Sequence, residues 1–109
     1  MKLKAKIQTR LIYTTLETFT DAQELGGKLV DARLAACVNI LPGMTSIFEW
    51  EGERREAAEV VMIVKTRQEC VEEAVRQLKA FHPYEVPVLI VIHPEDVDAD
   101  FEAWIAAQT

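Results

Sequence analysis

Two segments of the chain are apolar at every position, and this pattern constrains the fold more than any other feature of the sequence. Residues 60–64 read VVMIV and residues 88–92 read VLIVI. Successive side chains of a strand point to opposite faces of a sheet, so strands of this kind need cover on both faces. One layer of helices covers only one face, and an open apolar face would exceed the patches that soluble monomers usually expose. The pattern therefore predicts a closed homo-oligomer.

The remaining elements follow from periodicity, β-forming composition and turn residues. Apolar positions alternate at the start of the chain, as in a half-buried strand, and recur every three or four residues after Thr20 and Thr66. Each of these threonines opens a capping-box pattern, with Gln23 or Glu69 three residues later. In chain order, the sequence predicts a strand over 3–13, a helix over 20–33, a strand over 36–41 that kinks at 42–43 and resumes over 46–50, a strand over 59–65, a helix over 67–81, a strand over 88–92 and a short C-terminal helix around 101–105.

The order β-α-β-β-α-β is typical of the ferredoxin-like fold. This is an α+β two-layer sandwich in which both helices cover the same face of an antiparallel sheet. A turn at residues 51–53 makes the second and third strands one long hairpin. At 109 residues the chain has room for one domain, which we assign to 1–109.

The charge balance argues against nucleic-acid binding. The chain has 12 Lys and Arg residues against 18 Asp and Glu, and its formal charge of −6 would repel a phosphate backbone. Basic residues cluster at 2–10 and acidic ones at 95–102, so the two ends either meet in the fold or are solvated termini. Cys37 and Cys70 are too far apart for a CxxC site, and no apolar run reaches membrane-spanning length. We expect a cytoplasmic protein with no membrane partner.

Common catalytic signatures are missing from the sequence. It contains no GxSxG, HExxH, P-loop or GxGxxG motif. The two histidines, His82 and His93, are separated by the length of a strand, and four glycines leave little material for a phosphate-cradling loop. We therefore predict no catalytic residues and no enzymatic activity.

Several short motifs gain specificity from their combination. They are RLAACVN at 33–39, PG at 42–43, WEG at 50–52, KT at 65–66 and HPYEVP at 82–87. Together they resemble the CutA divalent-cation tolerance family, over residues 11–104. The resemblance implies a ferredoxin-like homotrimer, similar in architecture to the PII signalling proteins, with a hairpin that reaches a neighbouring subunit. It also implies a role in tolerance to copper and other divalent cations, without a settled biochemical activity.

The resemblance implies metal ligands that this chain retains only in part. Relatives that bind copper use a cysteine and histidines at positions that read Tyr13, Phe81 and His82 here. Because copper favours thiolate and imidazole, what remains is a weak site for Cu or Zn at His82 and the family acid Glu59, with no obligatory cofactor. In the alternative interpretation, Glu59 is a charge at the solvent end of a strand. His82 is then a helix-terminal histidine whose charged form the helix dipole favours.

Four residues are candidates for a subunit interface or for a ligand cleft: Tyr13, Trp50, Lys65 and Tyr84. Aromatic side chains bury large areas at oligomer contacts, which favours the interface for Trp50 and Tyr84. Lys65 either holds an anion beside the start of a helix or pairs with a carboxylate such as Glu59 or Glu85. A PII-like sensor of a small metabolite or anion is therefore the second hypothesis, and a scaffold without a ligand is the third.

Overall fold

The computed structural model describes residues 6–109 as four strands and three helices. In chain order they are β1 (Thr9–Leu16), α1 (Phe19–Asp31), β2 (Cys37–Trp50), β3 (Glu53–Arg67), α2 (Gln68–Phe81), β4 (Ile90–Ile92) and α3 (Ala99–Gln108). The strands form one antiparallel sheet in the order β2-β3-β1-β4. This confirms the predicted α+β class. The first five positions of the chain, which include part of the predicted strand 3–13, lie outside the described residues.

Both helix starts differ from the predicted capping boxes. The N-cap of α1 is Thr18, whose Oγ1 accepts from the amide of Asp21 at 3.0 Å, so the Thr20 prediction is wrong. The N-cap of α2 is Arg67, which makes no side-chain capping bond. Because β3 continues to Arg67, Thr66 is still in a strand, and its hydroxyl donates inward to the Leu34 carbonyl at 2.7 Å. The predicted end of α2 is confirmed, since His82 precedes a proline and has extended backbone at ψ 133°.

The second and third strands form the predicted hairpin, longer than expected. They meet at a two-residue turn in which Glu51 and Gly52 have φ of 52° and 78°. Positive φ at both positions matches the right-handed twist of the flanking strands. The predicted kink at residues 42–43 is an extra residue within one continuous strand, because Leu41 pairs with Val61 and Met44 with Glu59. Such a bulge moves the following side chains to the other face of the sheet.

The core lies between the two long helices and one face of the sheet. Alternate residues of β3 point into it, and Val60, Met62 and Val64 are at most 6% exposed. The other buried members come from β1, which is the neighbour of β3 in the sheet, from both helices and from the α1–β2 loop: Ile12, Leu16, Ala22, Leu25, Leu29, Ala35, Ala74 and Leu78.

The opposite face of the sheet is apolar and open, as the two-sided strands predicted. The intervening residues of β3, Val61 and Ile63, lie on it. Cross-strand pairing places Tyr13 opposite Ile63 on one side and Ile90 on the other. We call this surface the open sheet face: Leu11, Tyr13, Leu41, Val61, Ile63, Ile90 and Ile92. Leu41 is 55% exposed and Ile90 is 52% exposed.

The two ends of the chain meet at Glu102. This residue of α3 is only 5% exposed, and its Oε2 accepts from the amides of Gln8 and Thr9 at 3.0 and 2.9 Å. The hydroxyl of Thr9 donates to the same oxygen at 2.7 Å. The interpretation of 95–102 as merely solvated is therefore wrong at this position.

Candidate functional site

Polar side chains converge where β2, β3 and the end of β1 meet the chain that leaves α2. We call this group the Tyr84 cluster: Thr15, Ser46, Glu59, His82 and Tyr84. The Tyr84 hydroxyl donates to Oε2 of Glu59 at 2.7 Å across 25 residues of sequence. The cluster brings together two predicted metal ligands, Glu59 and His82, and one of the predicted interface aromatics.

Glu59 is a half-buried carboxylate held in its ionised form. It lies in the middle of β3, because the strand begins at Glu53, and not at the solvent end of a strand. Burial alone would raise the pKa of Glu59, but hydrogen bonds from Ser46, Tyr84 and Thr15 together outweigh it. The net pKa of the carboxyl is below its ordinary value, with His82 adding a smaller effect in the same direction.

The bulge in β2 is what brings Ser46 to Glu59. Without the extra residue, the side chain of Ser46 would point to the helix side of the sheet, since strand side chains alternate. The register shift between Leu41 and Met44 moves Met44 and Ser46 to the side that carries Glu59. Gly43 has φ of 90° at this point, a conformation that glycine adopts without strain. Met44 also connects the cluster to Tyr13, whose hydroxyl lies 3.8 Å from the Met44 sulfur.

His82 is a buried member of the cluster, and both of its ring nitrogens are in hydrogen bonds. Nε2 lies 2.9 Å from the carbonyl oxygen of Thr15, which can only accept, so Nε2 carries the hydrogen. Thr14 Oγ1 lies 3.1 Å from the same nitrogen. Nδ1 accepts from the backbone amide of Tyr84 at 3.2 Å. Pairing between β1 and β4 ends at Tyr13, so β4 does not reach the Thr15 carbonyl, and the His82 ring donates a hydrogen bond to it instead.

The neutral form of this histidine is favoured. His82 is 8% exposed, and burial lowers its pKa below the ordinary value, although the Thr15 carbonyl and the charges of Asp21 and Glu59 act in the opposite direction. The expectation that a helix dipole stabilises the charged ring is therefore wrong. The ring lies inside the fold, where loss of hydration outweighs the dipole.

Tyr84 joins the two predicted ligands with two separate groups. Its hydroxyl binds Glu59, its backbone amide binds His82, and its ring centroid lies 4.9 Å from that of His82. Burial raises the pKa of Tyr84 strongly, and the hydrogen bond and charge of Glu59 add to this effect. Tyr84 is therefore a neutral donor at any physiological pH.

The donor set in this conformation does not fit a strong copper site. Residues 6–109 contain no cluster of three or more His, Cys, Asp or Glu side chains placed to hold one ion. Of the two predicted ligands, His82 has both nitrogens engaged and Glu59 accepts from three hydroxyl groups. An imidazole binds a metal through a free nitrogen lone pair, which His82 lacks here.

The other predicted residues lie apart from the cluster along β3. Trp50 pairs with Glu53 at the hairpin tip, six residues before Glu59, and Lys65 follows Glu59 by six residues. At the rise of a strand, each separation is about 20 Å. Trp50, Lys65 and Tyr84 therefore do not line one cleft within a single chain, and Lys65 cannot pair with Glu59 of its own chain. The Lys65 ammonium instead lies 5.6 Å from the ring centroid of Phe101.

Thr15 and Ser46 are cluster members that sequence reasoning did not single out for chemistry. The signal for Ser46 was present in Pro42 and Gly43, which predict a kink, but a kink gives the new side-chain direction only when the cross-strand register is known. No comparable sequence signal marks Thr15, because its role depends on where β4 ends.

Comparison with known proteins agrees with the motifs. The profile of the family described as "CutA1 divalent ion tolerance protein" matches residues 10–108. The chain belongs to this family. The "Divalent-cation tolerance protein CutA" of Thermus thermophilus is 34% identical over 99 residues, which cover 91% of this chain and 96% of the relative.

Solved CutA structures have the same fold. CutA from Synechococcus elongatus matches with a TM-score of 0.93 at 32% identity, over 98% of this chain and 95% of that one. The "Periplasmic divalent cation tolerance protein CutA" from Archaeoglobus fulgidus matches with a TM-score of 0.88 at 38% identity, over 92% and 97%. Among residues 6–109, no helix is both long and apolar enough to span a membrane.

Proposed function

We propose that this CutA-family chain acts in tolerance to divalent cations, copper among them, as a homotrimer of single ferredoxin-like domains without catalytic activity. We place it in the cytoplasm, without nucleic acid as a partner. Family membership supports the tolerance role, and the strand order with both long helices on one face supports the ferredoxin-like assignment. The negative net charge supports the exclusion of nucleic acid.

The exposed apolar residues of the open sheet face support the proposal that several chains assemble. Leu41, Ile90 and Ile92 are 41–55% exposed on one surface, next to half-buried Val61 and Ile63. Burial of this surface against other copies removes an apolar area that is unfavourable in water. The hairpin tip extends the same side of the molecule with Phe48 and Trp50, 41% and 37% exposed.

Light scattering tests the assembly directly. We expect a particle of three times the 12.3 kDa of one chain. Leu41→Asp places a carboxylate in the contact and forfeits about 2 kcal/mol of apolar burial per chain, so its mass should fall at micromolar concentration. Val30→Asp is the matched control, because Val30 is 41% exposed on α1, away from the sheet face. A monomeric wild-type mass, or equal masses for both variants, would contradict the proposal.

Weak cation binding at Glu59 and His82 is the second part of the proposal. The observation that supports it is that both residues contact Tyr84: the ionised carboxylate of Glu59 binds its hydroxyl, and the neutral imidazole of His82 binds its backbone amide. Binding is weak because both groups already hold hydrogen bonds that an ion has to replace. Calorimetry with Cu(II) and Zn(II) tests this. We expect His82→Ala to lower the affinity and His93→Ala, the exposed histidine, to leave it unchanged.

A metabolite or anion sensor is the second candidate function. Lys65 favours it, since within residues 6–109 this lysine makes no ion pair and lies near the exposed aromatic pair Phe101 and Trp104. In a trimer, such a lysine could meet an anion at a cleft between subunits. A thermal-shift screen of nucleotides and organic anions tests it, because a ligand at a hundred times its dissociation constant stabilises the fold by about 2.7 kcal/mol. Loss of the shift in Lys65→Met would assign the ligand to this position.

A further inference from the structure

One residue occupies both groups that a cation would need. The hydroxyl of Tyr84 holds Glu59 at 2.7 Å, and its backbone amide caps the only lone pair of His82, on Nδ1, at 3.2 Å. The other nitrogen of His82 already donates to the Thr15 carbonyl. Histidines that bind metals usually donate their second N–H in this way, which fixes the tautomer and the ring orientation. Nε2 of His82 is therefore already oriented as in a metal-binding histidine, while Nδ1, the nitrogen that would bind the metal, is blocked by the Tyr84 amide.

The segment that carries Tyr84 is anchored at its far end by Leu89, which packs against the core, but it has few other contacts near Tyr84. Residues 83–89 join α2 to β4 without helix or strand, and we call them the strap. Pro83, Glu85 and Val86 on either side of Tyr84 are exposed, Val86 by 65%. A segment with so few buried contacts opens at low free-energy cost. In this part of the strap, Tyr84 is the residue whose side chain is hydrogen-bonded to a strand, through Glu59 of β3.

We propose that Tyr84 is an intramolecular latch, which keeps the strap closed over Glu59 and His82 and so controls whether these groups can take a cation. This rests on the proposed cation function. When the strap lifts, Glu59 loses one of its three hydroxyl donors and Nδ1 of His82 loses the amide, while Ser46 and Thr15 stay on the sheet. In this proposal, Glu59 and His82 are the cation ligands, and they bind a cation weakly because the closed strap occupies both of them.

The test removes the latch hydroxyl and measures two independent properties of the full chain. Tyr84→Phe keeps the ring against His82 and keeps the backbone amide, but it cannot bind Glu59. Hydrogen exchange should become faster at the amides of the strap. Calorimetry with zinc chloride should show an association constant about tenfold higher, because a hydrogen bond to a charged group no longer competes with the ion.

Thr45→Val is the matched control. It removes a hydroxyl next to Ser46, but Thr45 points to the other side of β2, and its strap exchange and zinc affinity should equal those of the wild type. Glu59→Gln separates the two roles of the carboxylate. Its amide oxygen still accepts from Tyr84, so strap exchange should stay near the wild-type rate while zinc binding weakens.

Each outcome decides one of the two proposals. Unchanged strap exchange in Tyr84→Phe overturns the latch, whatever zinc does. Faster exchange with zinc affinity equal to or below that of the wild type overturns control of access by the latch. Faster exchange with no zinc binding to either protein supports the latch and overturns the cation function. If Tyr84→Phe does not fold, Glu59→Ala breaks the same hydrogen bond from the β3 side, and its strap exchange gives the answer.

Discussion

Replacing Glu102 by alanine is expected to destabilise the fold by about 3 kcal/mol, far more than any other change in the acidic segment. Its Oε2 accepts three hydrogen bonds, two of them from Thr9, which is 2% exposed. A buried donor that loses its partner costs about 1–3 kcal/mol, so the two Thr9 donors account for most of the loss. Water can reach the part-buried Gln8 amide and compensate there.

The assay is urea unfolding at one fixed protein concentration, since assembly makes apparent stability concentration-dependent. If unfolding is measured by heating instead, a loss of about 3 kcal/mol in a chain of this length corresponds to a drop in Tm of about 13 °C. Glu102→Gln keeps an acceptor and should lose about half as much. Glu95→Ala, an exposed acid of the same segment, should change the free energy of unfolding by less than about 0.5 kcal/mol. Equal losses for Glu102→Ala and Glu95→Ala would refute the assignment of Glu102 as a buried acceptor.

Two further predictions concern backbone strain and pH. Gly43→Ala should lose about 1–2 kcal/mol in denaturant unfolding, because φ at 90° strains an L-residue, whereas Gly27→Ala on α1 should gain about 0.5–1 kcal/mol, since its Cβ meets nothing within 4 Å. His82 has a lower pKa in the folded than in the unfolded chain, so the unfolded chain binds more protons and stability falls as the pH drops below about 6.5. Glu59, with its own lowered pKa, adds a second loss below about 4.5. Urea midpoints across a pH series should show both steps, and His82→Gln should remove the first.

The sequence predicted where helices and strands occur better than where they begin. Periodicity identifies an element through many residues at once, which is why the interiors of α1, α2 and β3 were correct. A cap depends on one or two residues, and threonine serves several roles equally well. Thr20 matches a capping box, yet Thr18 caps the helix. Thr66 matches another, yet its side chain points into the core because β3 continues one residue past it.

The candidate site was predictable as a set of residues but not as a geometry. The HPYEVP motif and Glu59 contain both predicted ligands, and both ligands contact Tyr84. What the sequence could not give is that Tyr84 lies between them. That arrangement requires the exact length of β4, which leaves the Thr15 carbonyl to His82, and the register shift that turns Ser46 toward Glu59. Both are properties of strand pairing, which one strand's sequence does not contain.

The three donors on Glu59 also explain how a carboxylate can lie so near the open sheet face. Along β3, Glu59 precedes Val61 by two residues on the same side, a separation of about 7 Å. In the proposed trimer this carboxylate is at the rim of a contact that excludes water, where an unpaired charge is costly. Hydroxyl groups from Ser46, Thr15 and Tyr84 replace that water from within the chain, and they lower the pKa of Glu59 although burial alone would raise it. The charge at the rim is therefore compensated before any second copy binds, and opening the strap would remove part of that compensation.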